Sequence, residues 1–293
     1  MSHHHDDTHG TDPTHMDWDE LTPLLERGAE LQQPLYAQAA AWIGEQLPAA
    51  AVRRVLDIGS GPGVITCLLA EAFPHAEVVA VDSTPALLDR AMARAERRGL
   101  GDRVRTHTAE MPGGMDDLGD ADLIWAGNSV HHLGDQRAAL TGLARRLRPG
   151  GMLAVVEGGL QPRHLPRDIG IGRPGLESRI DAASGDWFEE MRGALPDTKA
   201  EVEDWRALLA EAGLAPSATR SFLLDIPAPV TVVVREQLVS AFTWQRKALA
   251  GRLSDDDAAV LDRLLDPDDE EGFMRRPDCF LLAARTVHTA RRG

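Results

Sequence analysis

The stretch Val55-Leu-Asp-Ile-Gly-Ser-Gly-Pro-Gly63 decides the fold, because it joins a buried strand to a glycine turn and the turn to a helix. Val55, Leu56 and Ile58 form a short apolar run, and beyond the glycines Val64, Ile65, Leu68, Leu69, Ala72 and Phe73 recur at helical spacing. Gly59, Gly61 and Gly63 have no Cβ, so the backbone can turn sharply and a ligand can come close to its N–H groups. The helix that follows begins with unpaired donors facing the same spot. Such a junction is where α/β proteins bind nucleotides.

Two cofactor classes use a turn of this kind, and spacing separates them. A dinucleotide fingerprint, G-x-G-x-x-G, would place its third glycine at position 64, where the chain has Val64; the pattern here is G-x-G-x-G. Asp57, just ahead of the first glycine, would repel a pyrophosphate and attract an ammonium group. The ligand inferred from these residues carries a cation near Asp57.

Leu56-Asp-Ile-Gly-Ser-Gly-Pro-Gly63 resembles the first motif of the class I S-adenosylmethionine-dependent methyltransferases. The resemblance implies a Rossmann-like α/β fold, a seven-stranded, mostly parallel sheet with helices on both faces and a helical lid. It also implies S-adenosyl-L-methionine as cofactor and S-adenosyl-L-homocysteine as product. In that family the turn passes beside the methionine part of the cofactor, which makes Asp57, Gly59, Ser60, Gly61 and Gly63 cofactor-binding candidates.

The rest of the chain alternates strand and helix. Glu77 to Val81 reads as a second strand ending at Asp82, an acid about 20 positions past the turn that can accept hydrogen bonds from both ribose hydroxyls. Asp82 matches the family's ribose-binding acid, although capping the next helix is its plainer role. Ser83 or Thr84 can cap that helix, which has Pro85 in its first turn. Arg103 to His107 reads as the third strand. The family's adenine loop would follow it, with Thr108 where an acid is common, Glu110 two positions on, and backbone groups near Ala109 as the other way to read the base.

Ala121 to Asn128 is the fourth strand, followed by Ser129-Val-His-His-Leu133 and a helix capped by Asp135. Leu147-Arg-Pro-Gly-Gly-Met-Leu-Ala154 resembles the family's turn into the fifth strand, which ends at Glu157. Five such alternations imply a parallel sheet with right-handed crossovers. Residues 158–200, rich in Gly and Pro, read as a lid or substrate loop. A helix over Glu203–Gly213, a strand over Ser221–Ile226, helices within 230–265 and an acidic loop at Asp266–Glu271 come next. The last strand starts at Phe280; by the resemblance it runs antiparallel between the fifth and sixth.

The domain expectation is a disordered tail over 1–16 and a methyltransferase domain over 17–293. Its lid helices lie at 17–50, with a break near Gln33-Pro34, and its insertions at 158–200 and 227–276. The tail holds five of the eleven histidines, three of them at His3 to His5, and no catalysis is expected from it. Tyr36, the one tyrosine, falls in the lid and either touches the ligands or packs a helix edge.

Composition removes other classes. The formal charge of −15 opposes a phosphate backbone, no basic tract overrides it, and base-stacking aromatics are few. No apolar run reaches the roughly 18 residues that span a bilayer, and the N-terminus lacks a secretory core. The expected location is therefore the cytoplasm, with Cys67 and Cys279 as buried thiols and no metal site. The expected partner is a small-molecule methyl acceptor, neither nucleic acid nor membrane, with a homodimer open.

Methyl transfer from a sulfonium needs alignment and sometimes removal of a proton. His132, His131 and Glu157, at the strand carboxyl ends, are the catalytic candidates, and Asn128 joins the cofactor contacts. The histidines can instead only orient their loop, and Glu157 can cap the glycine-rich turn. Arg163, Arg167, Arg173 and Arg179 in the lid either clamp a substrate anion or, the favoured reading, pair with acids such as Glu177 and Asp181. Protein methylation, and cofactor binding without transfer, are the rival readings.

Overall fold

The central strands are apolar on both faces and are buried on both, as a parallel sheet requires. In the computed structural model, which describes residues 18–293, β1 (Arg54–Ile58), β2 (Glu77–Asp82), β3 (Val104–Thr108), β4 (Ala121–Gly127), β5 (Leu147–Arg163), β6 (Ala215–Ile226) and β7 (Leu281–Arg291) form one sheet in the order β3-β2-β1-β4-β5-β7-β6. Only β7 runs against its neighbours, pairing antiparallel with both β5 and β6, as expected. The tail over 1–16, with His3 to His5, lies outside the described residues.

Strand alternation sorts the core into two layers. Val55, Trp125, Ala154 and Val156 pack with Leu35 and Ile43 of α1 (Trp18–Gln46) and Leu69 of α2 (Val64–Ala72). The alternate residues Leu56, Ile58, Ile124 and Val155 pack with Leu140 and Leu143 of α4 (Gln136–Arg145) and Leu208 of α6 (Trp205–Glu211). Between them, α3 (Pro85–Arg97) sits over β2 through Leu88 and Ala91 against Ala80. The chain runs outward from β1 to β3 and then returns to β4, so strand order reverses between β1 and β4. A crevice opens at their carboxyl ends, where ligands bind in open α/β sheets.

Three expectations need correction. The N-terminal segment is one 29-residue helix, with Pro23 and Pro34 inside it, and has no break at Gln33-Pro34. An internal proline removes a hydrogen bond, but Leu35, Ala39 and Ile43 are fully buried on one continuous face, and that burial holds the helix together. Residues 158–163 are not loop but the end of β5, where Gly159, Leu160 and Arg163 pair with Arg285, Ala284 and Leu282. Two register shifts there absorb the glycine pair and Pro162, so the composition that suggested a loop marks bulges instead. The strand expected over Ser221–Ile226 starts at Ala215, because β7 pairs with its whole length.

The remaining helices, α5 (Leu176–Gly193), α7 (Val232–Ala248) and α8 (Asp255–Leu265), gather on the α1 side of the sheet. Trp187 of α5 meets Trp244 of α7 edge-on at 5.6 Å, and Gln237 of α7 donates to the Leu24 carbonyl of α1 at 3.2 Å. The lid is thus one connected body. Cys67 and Cys279 are buried and unpaired with each other. No described helix is long and apolar enough to cross a membrane.

Candidate functional site

The three glycines of the turn all have positive φ, for different reasons. A Cβ on Gly59 would lie 2.5 Å from the Ser129 Cβ, and one on Gly63 would lie 2.5 Å from the Ala91 Cβ, so these two let the turn pack against the β4 loop and α3. A Cβ on Gly61 would meet nothing within 4 Å. Gly61 therefore leaves open space directly against the backbone. The Gly59 and Ser60 N–H groups donate to the Val81 carbonyl at 2.8 and 3.1 Å, tying the turn to β2, while the buried Ser60 Oγ has no partner.

Two carboxylates flank that space. Asp57 is buried and accepts one hydrogen bond, from Thr66 Oγ1 at 2.6 Å. Burial pushes its pKa up to about 7, opposed by Thr66 and assisted by the nearby charge of Asp82. A carboxyl so raised lacks a compensating cation. Asp82 accepts from the Gly61 N–H at 2.9 Å and the Thr84 N–H at 3.0 Å, which fixes the turn to the end of β2 and leaves lone pairs for further donors. Asp82 thus ties the glycine turn to the approach of α3 without capping that helix.

Thr84 occupies the cap position of α3 without a side-chain bond, and Ser83 is exposed. The Ala109 N–H donates to the Asp82 carbonyl at 3.0 Å, so this loop is anchored through its backbone, and Glu110 is exposed. The open backbone at Gly61, the orphaned Ser60 Oγ and the uncompensated Asp57 fit a ligand with a cationic amine and hydroxyl donors, as S-adenosylmethionine has.

Across the crevice, the loop after β4 is held by Glu157. Its Oε1 accepts from the N–H groups of Ser129 at 3.0 Å, Val130 at 2.9 Å and His131 at 3.4 Å, and its Oε2 lies 2.6 Å from His131 Nδ1. Both oxygens are engaged, so Glu157 is a positioning group. A carboxylate at Nδ1 fixes the proton there and leaves Nε2 as the ring's acceptor. His131 stays a quarter exposed, at 24%.

His132 differs. Burial, then the neighbouring His131 and Arg192 charges, depress its pKa to about 3, so it is neutral throughout the working range. Phe188 of α5 covers both rings, at 5.5 and 5.4 Å. Asn128, at φ 49, turns its amide to the Tyr36 hydroxyl at 2.9 Å, and Tyr36 is buried edge-on to Trp125. The β4 loop, the end of β5 and the lid helix α1 therefore meet at this point.

A cavity of about 330 Å³ lies here, lined by Asn128, His131, Glu157, Gln161, Phe188 and Arg285 among others. Phe188, Arg285 and Thr66 escaped the sequence reading. For Arg285 a signal exists, a cation inside the apolar run Phe280–Val287; for Thr66 there is none. Among the lid arginines, Arg163 pairs with Asp181 as expected, while Arg179 takes Asp257 in a two-pronged pair at 2.6 and 2.7 Å. Glu177 holds His164 instead of an arginine. Arg167 and Arg173 are exposed, and none of the four lines the cavity.

Comparison with known proteins identifies the family and the fold. A methyltransferase-domain family model matches residues 56–153. The chain is 30% identical over 203 residues to a trans-aconitate 2-methyltransferase of Methylobacterium nodulans, covering 67% of this chain and 74% of the relative. It is 32% identical over 182 residues to the enzyme of that name from Methylobacterium radiotolerans, covering 57% of this chain and 65% of the relative, just under two thirds of its length. Among solved structures, an O-methyltransferase family 2 protein from Planctomyces limnophilus superposes with a TM-score of 0.50 at 23% identity, over 70% of this chain and 58% of that one.

Proposed function

The chain belongs to the class I S-adenosylmethionine-dependent methyltransferases, and from that premise we propose that it methylates a small molecule held beside His131. The observation that carries this reading is the presence of two open spaces at the carboxyl ends of the sheet, one after β1 and one after β4 and β5. One is the open backbone at Gly61 between Asp57 and Asp82, and the other the cavity of about 330 Å³ under Phe188. That volume suits a small organic ligand. A protein acceptor needs an open groove, whereas here Phe188 of α5 packs over the His131 and His132 rings.

Asp57, Ser60, Gly61 and Asp82 would hold the cofactor. Bound there, S-adenosylmethionine supplies a methyl group already activated on a sulfonium. The chain's own part is alignment and proton management. Glu157 keeps His131 in one tautomer, and Nε2 takes the proton of a hydroxyl or amine acceptor when the acceptor carries one. His132, neutral and half-buried, packs behind His131 and Phe188 without lining the cavity. The relatives named for trans-aconitate support a small acceptor.

The test is incubation of the protein with isotope-labelled S-adenosylmethionine and metabolite and peptide extracts, read by mass spectrometry. The expected result is label in a small molecule, located by fragmentation. Label confined to peptides, or none despite calorimetric cofactor binding, overturns the reading.

A further inference from the structure

The charges around the cavity are accounted for with one exception among the described residues. Glu157 is saturated by three N–H groups and His131. Glu203 accepts from Gln136 Nε2 at 3.2 Å and lies 3.6 Å from Arg192 Nη1. Arg285 forms no ion pair, and its Nε is buried without a hydrogen-bond partner. That single N–H has lost its hydration without replacement, while Arg285 as a whole is half-buried and its terminal nitrogens are not sealed from solvent.

The backbone puts this arginine there deliberately. Arg285 pairs in register with Gly159, whose φ is 109 and whose Cβ, if present, would lie 2.3 Å from the Ala284 carbonyl oxygen. Only glycine lets β7 approach so closely at the bulge after Glu157. The result is an unspent cation on the wall shared with His131, in a protein of formal charge −15.

We propose that Arg285 is a specificity-determining residue that anchors a carboxylate of the acceptor. This rests on the small-molecule methyltransferase reading of the same cavity and names the substrate class within it. A planar carboxylate matches the paired N–H groups of a single guanidinium, and the amides of Gln161 and Asn128 on the same wall add neutral donors. A phosphate dianion would call for a second cation, and the neighbouring charge is the Glu203 carboxylate.

The test is calorimetric titration of the full chain, with and without S-adenosylhomocysteine, using succinate, benzoate and trans-aconitate, each against its amide, and phenyl phosphate. At least one acid is expected to bind about tenfold or more tighter than its amide. Arg285→Gln should abolish that preference, Arg285→Lys should retain part of it, and Glu203→Gln should increase it. S-adenosylhomocysteine affinity of Arg285→Gln should stay at the wild-type value and its circular-dichroism melt should not fall below wild type, which separates lost recognition from lost fold. The proposal is overturned if no acid binds, if amides bind equally, if phenyl phosphate is preferred, or if Arg285→Gln keeps the acid preference. Failure of the wild type to bind S-adenosylhomocysteine would instead strike the methyltransferase reading, and the titrations without it would still decide the role of Arg285.

Discussion

The same device occurs twice in this molecule. Glu157 accepts backbone N–H groups from Ser129 and Val130 and holds His131 through Nδ1; Glu177 accepts from His164 and Leu165 and holds His164 through Nδ1 at 2.9 Å. In each case a carboxylate pins a loop by its backbone and its histidine together. The surroundings separate them. His164 meets the buried Phe242 ring at 5.4 Å, whereas His131 lines the cavity at the carboxyl ends of β4 and β5. A Glu–His pair is therefore a loop lock first, and position in the sheet decides which lock can also move a proton.

Replacing each histidine puts the largest strain on this distinction. His131→Ala should lower turnover by about 10²-fold, the usual worth of a positioned acid–base group, with cofactor affinity nearly intact. His164→Ala should leave turnover close to wild type. Turnover and calorimetric affinity measured on both variants decide the matter, and equal losses would reduce both pairs to loop locks.

Asp57 sharpens the comparison from the other side, since it has one hydrogen bond where Glu157 and Glu177 are saturated. Its pKa near 7 means that it binds a proton in the folded protein between about pH 4 and 7, where the unfolded chain does not. The resulting stability is present in full below the unfolded pKa and is lost as pH rises through 7. A cationic cofactor selects the ionised form, so its affinity should fall toward tenfold per pH unit below 7. In Asp57→Asn the binding should be weak and flat with pH, and the ligand-free melting temperature should exceed wild type at pH 8. A pH-independent wild-type affinity would remove the cation partner from Asp57.

Much of this was legible from residue order. The glycine turn, Asp82 and the five strand–helix alternations are local patterns whose physics is carried by the residues themselves, and the antiparallel β7 followed from the family resemblance. Pro34 and the Gly158-Gly159 pair misled, because a local breaker is overruled when a continuous apolar face or a partner strand supplies more than the breaker removes. Arg285 and Phe188 reach the site from 128 and 31 positions beyond Glu157, through β7 pairing and lid packing, and no local pattern encodes either contact. His131 and His132 are adjacent in sequence, and only their surroundings, Glu157 at one ring and desolvation of the other, tell them apart.

That desolvation makes His132 the next test. Its folded pKa, near 3, lies below the ordinary value of 6.5, so its contribution to stability is full above 6.5 and drains away as pH falls toward 3. His132→Phe should keep turnover within about threefold and should lose about 1–2 kcal/mol less stability than wild type between pH 7 and 5. Denaturant titrations at the two pH values measure this, and a large fall in turnover would return the base role to His132.

The smallest effect on the reaction belongs to the second lock. Glu177→Gln keeps one carbonyl acceptor but cannot satisfy the His164 and Leu165 N–H groups and the His164 ring together, and a buried donor left unmet costs about 1–3 kcal/mol. The loss falls on the segment joining β5 to α5, so the melting temperature should drop while turnover at 25 °C stays within about twofold, since α5 is also held by Trp187 against Trp244. Glu157→Gln, with the same loss of charge, should lower both. If Glu177→Gln lowered turnover as far as Glu157→Gln did, the lid and the β4 loop would be one mechanical unit, and the proton-transfer role would no longer distinguish His131 from its counterpart.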